Sequence, residues 1–126
     1  MSFVLDAGAL VALERNDRAM WVRLKTAMRD ETEVLSHGGI IGQVWRSGGP
    51  RQALLVRALA SVEVRPLDEA LGRAAGSLLA KTRGRDAIDA AIVAMARPGD
   101  VIMTSDPGDL EPLARATGLA LDILAV

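Results

Sequence analysis

Short apolar runs separated by longer stretches of helical periodicity constrain the fold of this chain more than any other feature. Phe3-Val4-Leu5, Val34-Leu35, Ser61 to Arg65, Val101-Ile102-Met103-Thr104 and Leu121 to Leu124 read as strands. The segments between them read as helices. These are Ala7 to Glu14, residues 17–30 with apolar positions at Ala19, Met20, Leu24, Ala27 and Met28, and the Ile40, Ile41, Val44, Trp45 repeat that closes at Gly48-Gly49-Pro50. Arg51 to Ala60, Asp68 to Lys81, Asp86 to Ala96 and Asp106 to Gly118 complete the set. Strands alternating with helices predict a parallel sheet covered on both faces, because each helix carries the chain back to start the next parallel strand. The expected fold is a three-layer α/β/α domain spanning residues 1–126, with a central parallel sheet of about four to five strands.

Composition narrows the chemistry. Half of the residues are hydrophobic and 25% are charged, which supports a packed core rather than disorder. There is no cysteine, so disulfides, thiolate metal sites and cysteine nucleophiles are excluded. The one histidine, His37, has no histidine partner for a zinc site and is expected in a loop. The acid at position 6 interrupts the first apolar run and no basic segment precedes it, so no signal peptide is expected there. No apolar stretch reaches a membrane span, and a cytoplasmic protein is expected. Net charge is −1, so nucleic-acid binding would rest on local basic patches. Neither a Gly-x-Gly-x-x-Gly turn nor a Gly-Lys-Ser/Thr phosphate loop is present. The Asp-x-Asp start of aspartate-nucleophile phosphatases is missing too, since Ala7-Gly8 follows Asp6.

The acids fall at special places. Asp6 ends the first strand and Asp106 follows the strand at 101–104, so both stand where open α/β sheets bind ligands. Asp86 and Asp89 are three residues apart and share one helix face. Singly, each has a sufficient local explanation. Asp106-Pro107 with Asp109 is a strong helix start, Asp86 and Asp89 complement the dipole of a first turn, and Asp6 can cap the helix at Ala7. Asp6 fits its local role least well, because a charge at the end of a buried strand is costly to desolvate. Together the acids predict a hard cation held by oxygen ligands, Mg²⁺ or Mn²⁺.

The chain resembles the PIN domain, and within it the VapC-type toxins of toxin–antitoxin pairs. The resemblance rests on Val4-Leu5-Asp6-Ala7-Gly8-Ala9-Leu10, Gln43-Val44-Trp45-Arg46-Ser47-Gly48, Asp86-Ala87-Ile88-Asp89-Ala90-Ala91-Ile92-Val93-Ala94 and Met103-Thr104-Ser105-Asp106-Pro107-Gly108-Asp109-Leu110. It implies a metal-dependent endoribonuclease that hydrolyses RNA phosphodiesters, with Asp6, Asp89 and Asp106 as catalytic acids. Asp109 fits a frequent accessory acid among the metal ligands, and Asp86, an extra acid a turn before Asp89 that the family pattern does not supply, is expected to join them. It also implies a homodimer and a small antitoxin partner.

Gln43 departs from the pattern, standing where the family has its second acid, usually glutamate. An amide oxygen can accept a hydrogen bond but brings neither negative charge nor a base, so weakened metal binding and activity are expected. The alternative is a catalytically impaired PIN-like module that binds RNA or a protein. Arg46, Arg83 and Arg85 are candidate phosphate contacts, with Lys81, Arg51, Arg15 and Arg18 nearby in sequence, although solvated helix ends account for them equally well. Thr104 and Ser105 are candidates for positioning water, with local backbone bonding as the competing role. Trp21 and Trp45 are expected in the core or at a subunit contact, and too few aromatics remain for a stacking platform.

Overall fold

A computed structural model describes residues 1–126. Its strands are β1 (Phe3–Leu5), β2 (Val34–His37), β3 (Glu63–Arg65), β4 (Val101–Thr104) and β5 (Asp122–Ala125). Its helices are α1 (Ala7–Glu14), α2 (Arg18–Arg29), α3 (Gly38–Val44), α4 (Ala53–Leu59), α5 (Glu69–Thr82), α6 (Ala87–Ala94) and α7 (Pro107–Thr117), with a 3-10 turn at Pro50–Gln52. All five strands pair in parallel in the order β3-β2-β1-β4-β5. Helices α1 to α4 pack on one another, as do α5 to α7, which gives a three-layer α/β/α domain. No helix is long and apolar enough to cross a membrane.

The order places the functional crevice. From β1 the chain builds outward through β2 to β3, then returns through α5 and α6 to lay β4 on the other side of β1. The winding direction therefore reverses between β1 and β4, and the helices that follow these two strands diverge there. Asp6 ends β1 and Asp106 follows β4, so both acids border that opening.

The core explains why these short strands form. Val4, Leu5, Leu10, Leu13, Ile40, Leu55, Ile92 and Ile102 are fully buried, and the apolar runs of β1 and β4 are sandwiched between helix layers. Three differences from the sequence reading involve polar residues. First, β2 runs two residues beyond Leu35, through Ser36 and His37, both fully buried. Burial is tolerated because the Ser36 hydroxyl donates to Leu5 O at 2.9 Å and both His37 nitrogens have partners. His37 is therefore a strand residue and the N-cap of α3, not a loop residue.

Second, Gln52 is buried and organises the turn after α3. Its Oε1 accepts from the backbone N–H groups of Arg46 (3.0 Å), Ser47 (3.2 Å) and Gly48 (3.0 Å). Its Nε2 donates to Glu14 (2.8 Å) and to Val44 O (2.9 Å). Third, Asp100 is buried and accepts from Ser2 N (2.7 Å) and Arg97 N (2.8 Å), tying the start of β1 to the turn before β4.

Candidate metal centre

The acids at the crevice differ in what their own backbones ask of them. Asp6 is buried, and its carboxylate accepts the Ala9 N–H at 3.0 Å, capping α1. Asp86 caps α6, accepting from Ile88 N at 2.9 Å and Asp89 N at 3.1 Å. Asp106 occupies the N-cap position of α7 but makes no side-chain cap bond. Separately, the Thr104 hydroxyl accepts the N–H of Asp106 itself at 2.9 Å. Capping thus accounts for part of Asp6 and for Asp86, whereas the Asp106 carboxylate caps nothing and shares a hydrogen bond with Asp109.

Close packing brings the two strand ends together. A Cβ on Gly8 would overlap the Ser105 side chain, 2.5 Å from its Cβ and 3.0 Å from its backbone nitrogen. The start of α1 and the loop after β4 meet there with no room for a side chain. Thr104, fully buried, also donates to the Asp6 carboxylate, so one hydroxyl joins both acids.

Electrostatics show that the acids share one field. Burial pushes the Asp6 carboxyl above its ordinary value of 3.8, against the hydrogen bonds from Thr104, Ala9 and Gly8, with the Asp106 charge adding to the rise. Asp89 is raised to about 6, first by burial and then by the charges of Asp86, Asp6, Asp109 and Asp106. Asp109 is raised by a hydrogen bond to Asp106 and by its charge. The ion pairs of the chain are Arg29–Asp30, Arg65 with Glu33 and Glu63, and Arg73–Glu69. None relieves the five clustered carboxylates.

The donor set suits a hard divalent cation, being entirely oxygen with excess negative charge. No three acidic or histidine side chains converge on one centre at coordination distance, however. Mutual repulsion among uncompensated carboxylates favours such an open arrangement. A groove of about 370 Å³ beside them is lined by Asp86, Asp89, Asp109 and Arg85, with Leu79 and Leu113 as its apolar wall.

The other candidates are placed as follows. Gln43 is exposed on α3. The Arg46 guanidinium folds back onto its own helix end, donating to Trp45 O at 2.7 Å and Gly42 O at 3.4 Å. Arg83 is exposed at the end of α5 in a left-handed conformation, and Arg85 is exposed at the groove. Ser105 is exposed. Trp21 is half-buried against the core, donates to Leu13 O at 3.0 Å and lies under the Arg57 guanidinium. Trp45 covers Gly48, whose missing Cβ leaves room for the ring and whose φ is positive.

The sequence reading passed over Gln52 and gave His37 no structural role. His37 carried a usable signal. Ser36-His37-Gly38-Gly39 repeats the arrangement of Leu5-Asp6-Ala7-Gly8, a polar residue between a strand and a helix of small residues. Gln52 carried none, since a lone glutamine near a helix start is ordinary.

No protein-family model matches this sequence, and no curated protein does. Among solved structures it is similar to a chain of VapBC2 from Rickettsia felis, determined bound to a DNA fragment from the promoter. The TM-score is 0.69 at 13% identity, covering 98% of this chain and 99% of that one. The likeness at this identity lies in the fold, and the expected PIN-like three-layer architecture is the one the chain has.

Proposed function

We propose that this chain is a divalent-metal-dependent endoribonuclease of the PIN/VapC type. The observation that carries the reading is the Asp106 carboxylate, left uncapped beside buried Asp6 at the point where the winding of the sheet reverses. A carboxylate that makes no cap bond to its helix, within a cluster that no basic side chain neutralises, is suited to an ion rather than to stability. Asp6 and Asp106 would hold Mg²⁺ or Mn²⁺, with Asp89, Asp86 and Asp109 around them. The bound ion would supply a water of lowered pKa and neutralise charge developing on the scissile phosphate.

The side chains of the chain do the rest. Thr104 orients both Asp6 and the Asp106 backbone. Asp89, raised to about 6, accepts a proton near neutral pH until a neighbouring cation lowers it. Arg85, exposed at the groove, and Arg83, exposed two residues before it, both free of ion pairs, contact RNA phosphates. The same reading includes a small antitoxin partner, supported by the fold shared with the VapBC2 chain, and a homodimer, which the resemblance alone suggests. The test is Mn²⁺-dependent cleavage of a structured RNA by the wild type and by Asp6→Asn. Equal cleavage by the two proteins would sink the proposal.

Gln43 favours a second reading, a catalytically impaired module of the same fold that binds RNA or protein. An exposed neutral amide stands where the resemblance calls for an acid. Gln43→Glu discriminates the two. Under the impaired reading it raises Mn²⁺ affinity and cleavage together. Unchanged values show that position 43 is not the missing ligand.

A further inference from the structure

We propose that His37 is a positioning residue of the acidic pocket, its imidazole holding the first turn of α6, which carries Asp89, to the end of β2. The consequence for metal binding rests on the function proposed above, whereas the tie between β2 and α6 does not.

The geometry is specific. His37 is fully buried at the end of β2. Its Nδ1 accepts the Gly39 N–H at 3.0 Å and so caps α3. With Nδ1 an acceptor, the proton resides on Nε2, which donates to Ile88 O at 3.0 Å. Ile88 immediately precedes Asp89. The ring cannot turn without losing both bonds.

Packing closes the same junction. A Cβ at Gly39 would stand 2.7 Å from Ile88 Cδ1, 2.9 Å from His37 Cε1 and 3.0 Å from Leu67 Cδ2. A side chain at 39 would press on the imidazole itself and displace the flexible ends of Ile88 and Leu67. The remaining side-chain bonds at the start of α6 are internal, from the Asp86 carboxylate to Ile88 N and Asp89 N. They shape the turn without attaching it to the sheet. His37 supplies the attachment, and a shift of that turn moves Asp89 relative to both Gln43 and Asp6.

Two substitutions separate the bonds. The amide of H37N reaches the Nδ1 position and retains the Gly39 bond, but falls short of Ile88. The longer side chain of H37Q carries an amide donor to the Nε2 position and retains the Ile88 bond. Mn²⁺ affinity of the full chain, measured by titration, is expected to stay within about twofold of wild type in H37Q and to fall by ~10-fold in H37N. Amide hydrogen exchange without metal is expected to quicken at Ala90 to Ile92 in H37N and not in H37Q.

Gly39→Ala sets a methyl against His37 Cε1 and displaces the ring from Ile88 O, so it is expected to behave as H37N and serves if H37N does not fold. Equal exchange at α6 in H37N and H37Q, or wild-type exchange in Gly39→Ala, overturns the proposal. If exchange separates the variants while the wild type binds no Mn²⁺, the tie stands and the metal reading falls.

Discussion

Thr104 accepts the backbone N–H of Asp106 at 2.9 Å, while the Asp106 side chain makes no cap bond to the helix it opens. The same hydroxyl donates to Asp6. Thr104→Val keeps the shape and deletes both bonds. It is expected to cost about 1–3 kcal/mol of stability, because a backbone N–H and a buried carboxylate lose a partner. The Asp6 carboxyl should rise further, since a bond that lowers it is gone. Urea unfolding and an NMR titration of Asp6 check the two effects.

Asp89 is expected to be destabilising at neutral pH. Its folded pKa of about 6 exceeds the ordinary 3.8, so the folded state binds the proton more tightly than the unfolded chain. Stability therefore falls as pH rises through that interval, and the full cost is present above it. Asp89→Asn should raise stability at pH 7.5 by about 0.5–1 kcal/mol after allowance for solvent screening. The gain should vanish below about pH 4. Melting temperatures of both proteins across this range test the sign, and a gain that persists at low pH would refute it.

His37 contributes with the opposite slope. Burial holds its pKa below the ordinary 6.5, so the folded state favours the neutral ring. Its contribution is complete above pH 6.5 and is lost as pH falls through the lower folded value. In Asp89→Asn, where the main opposing slope is removed, stability should decline from pH 6.5 toward acid. The further substitution H37Q should flatten that decline. Denaturation midpoints at half-unit pH steps would show it.

Gln52 holds the turn after α3 through five hydrogen bonds. Gln52→Glu replaces an amide donor with a carboxylate oxygen facing Glu14 and Val44 O. A loss of about 2–4 kcal/mol is expected from the unpaired and repelling groups. Faster proteolysis at residues 45–49 should accompany it. Glu14→Gln in the same chain should recover part of the loss, which measures the pair directly.

Gly8→Ala should cost about 1–3 kcal/mol, because the new methyl displaces Ser105. The loop carrying Asp106 moves with it. Adding Ser105→Gly removes the overlapping side chain but not the nearby backbone nitrogen, so rescue should be partial. Fully additive losses would show that the two residues do not press on each other.

The alternation of strands and helices was legible in the residues because its signals are local: apolar runs, helical spacing, and glycine or proline at the turns. The placement of acids at strand ends and helix starts followed from the same boundaries. Which of those acids cap their helices did not. Asp86 and Asp106 occupy the same kind of position, yet one caps its helix and the other makes no cap bond.

The sequence alone therefore determined a layered parallel α/β domain with acids gathered along one edge of its strands. Only the tertiary structure decided that β4 lies beside β1, and hence that Asp6 and Asp106 face one opening. It also decided the buried polar ties. His37 meets Ile88 across 51 residues, and Gln52 meets Glu14 across 38. Hydrophobic periodicity reports how a residue relates to its own helix or strand. A buried hydrogen bond depends on which distant backbone arrives, and that is settled when the layers pack.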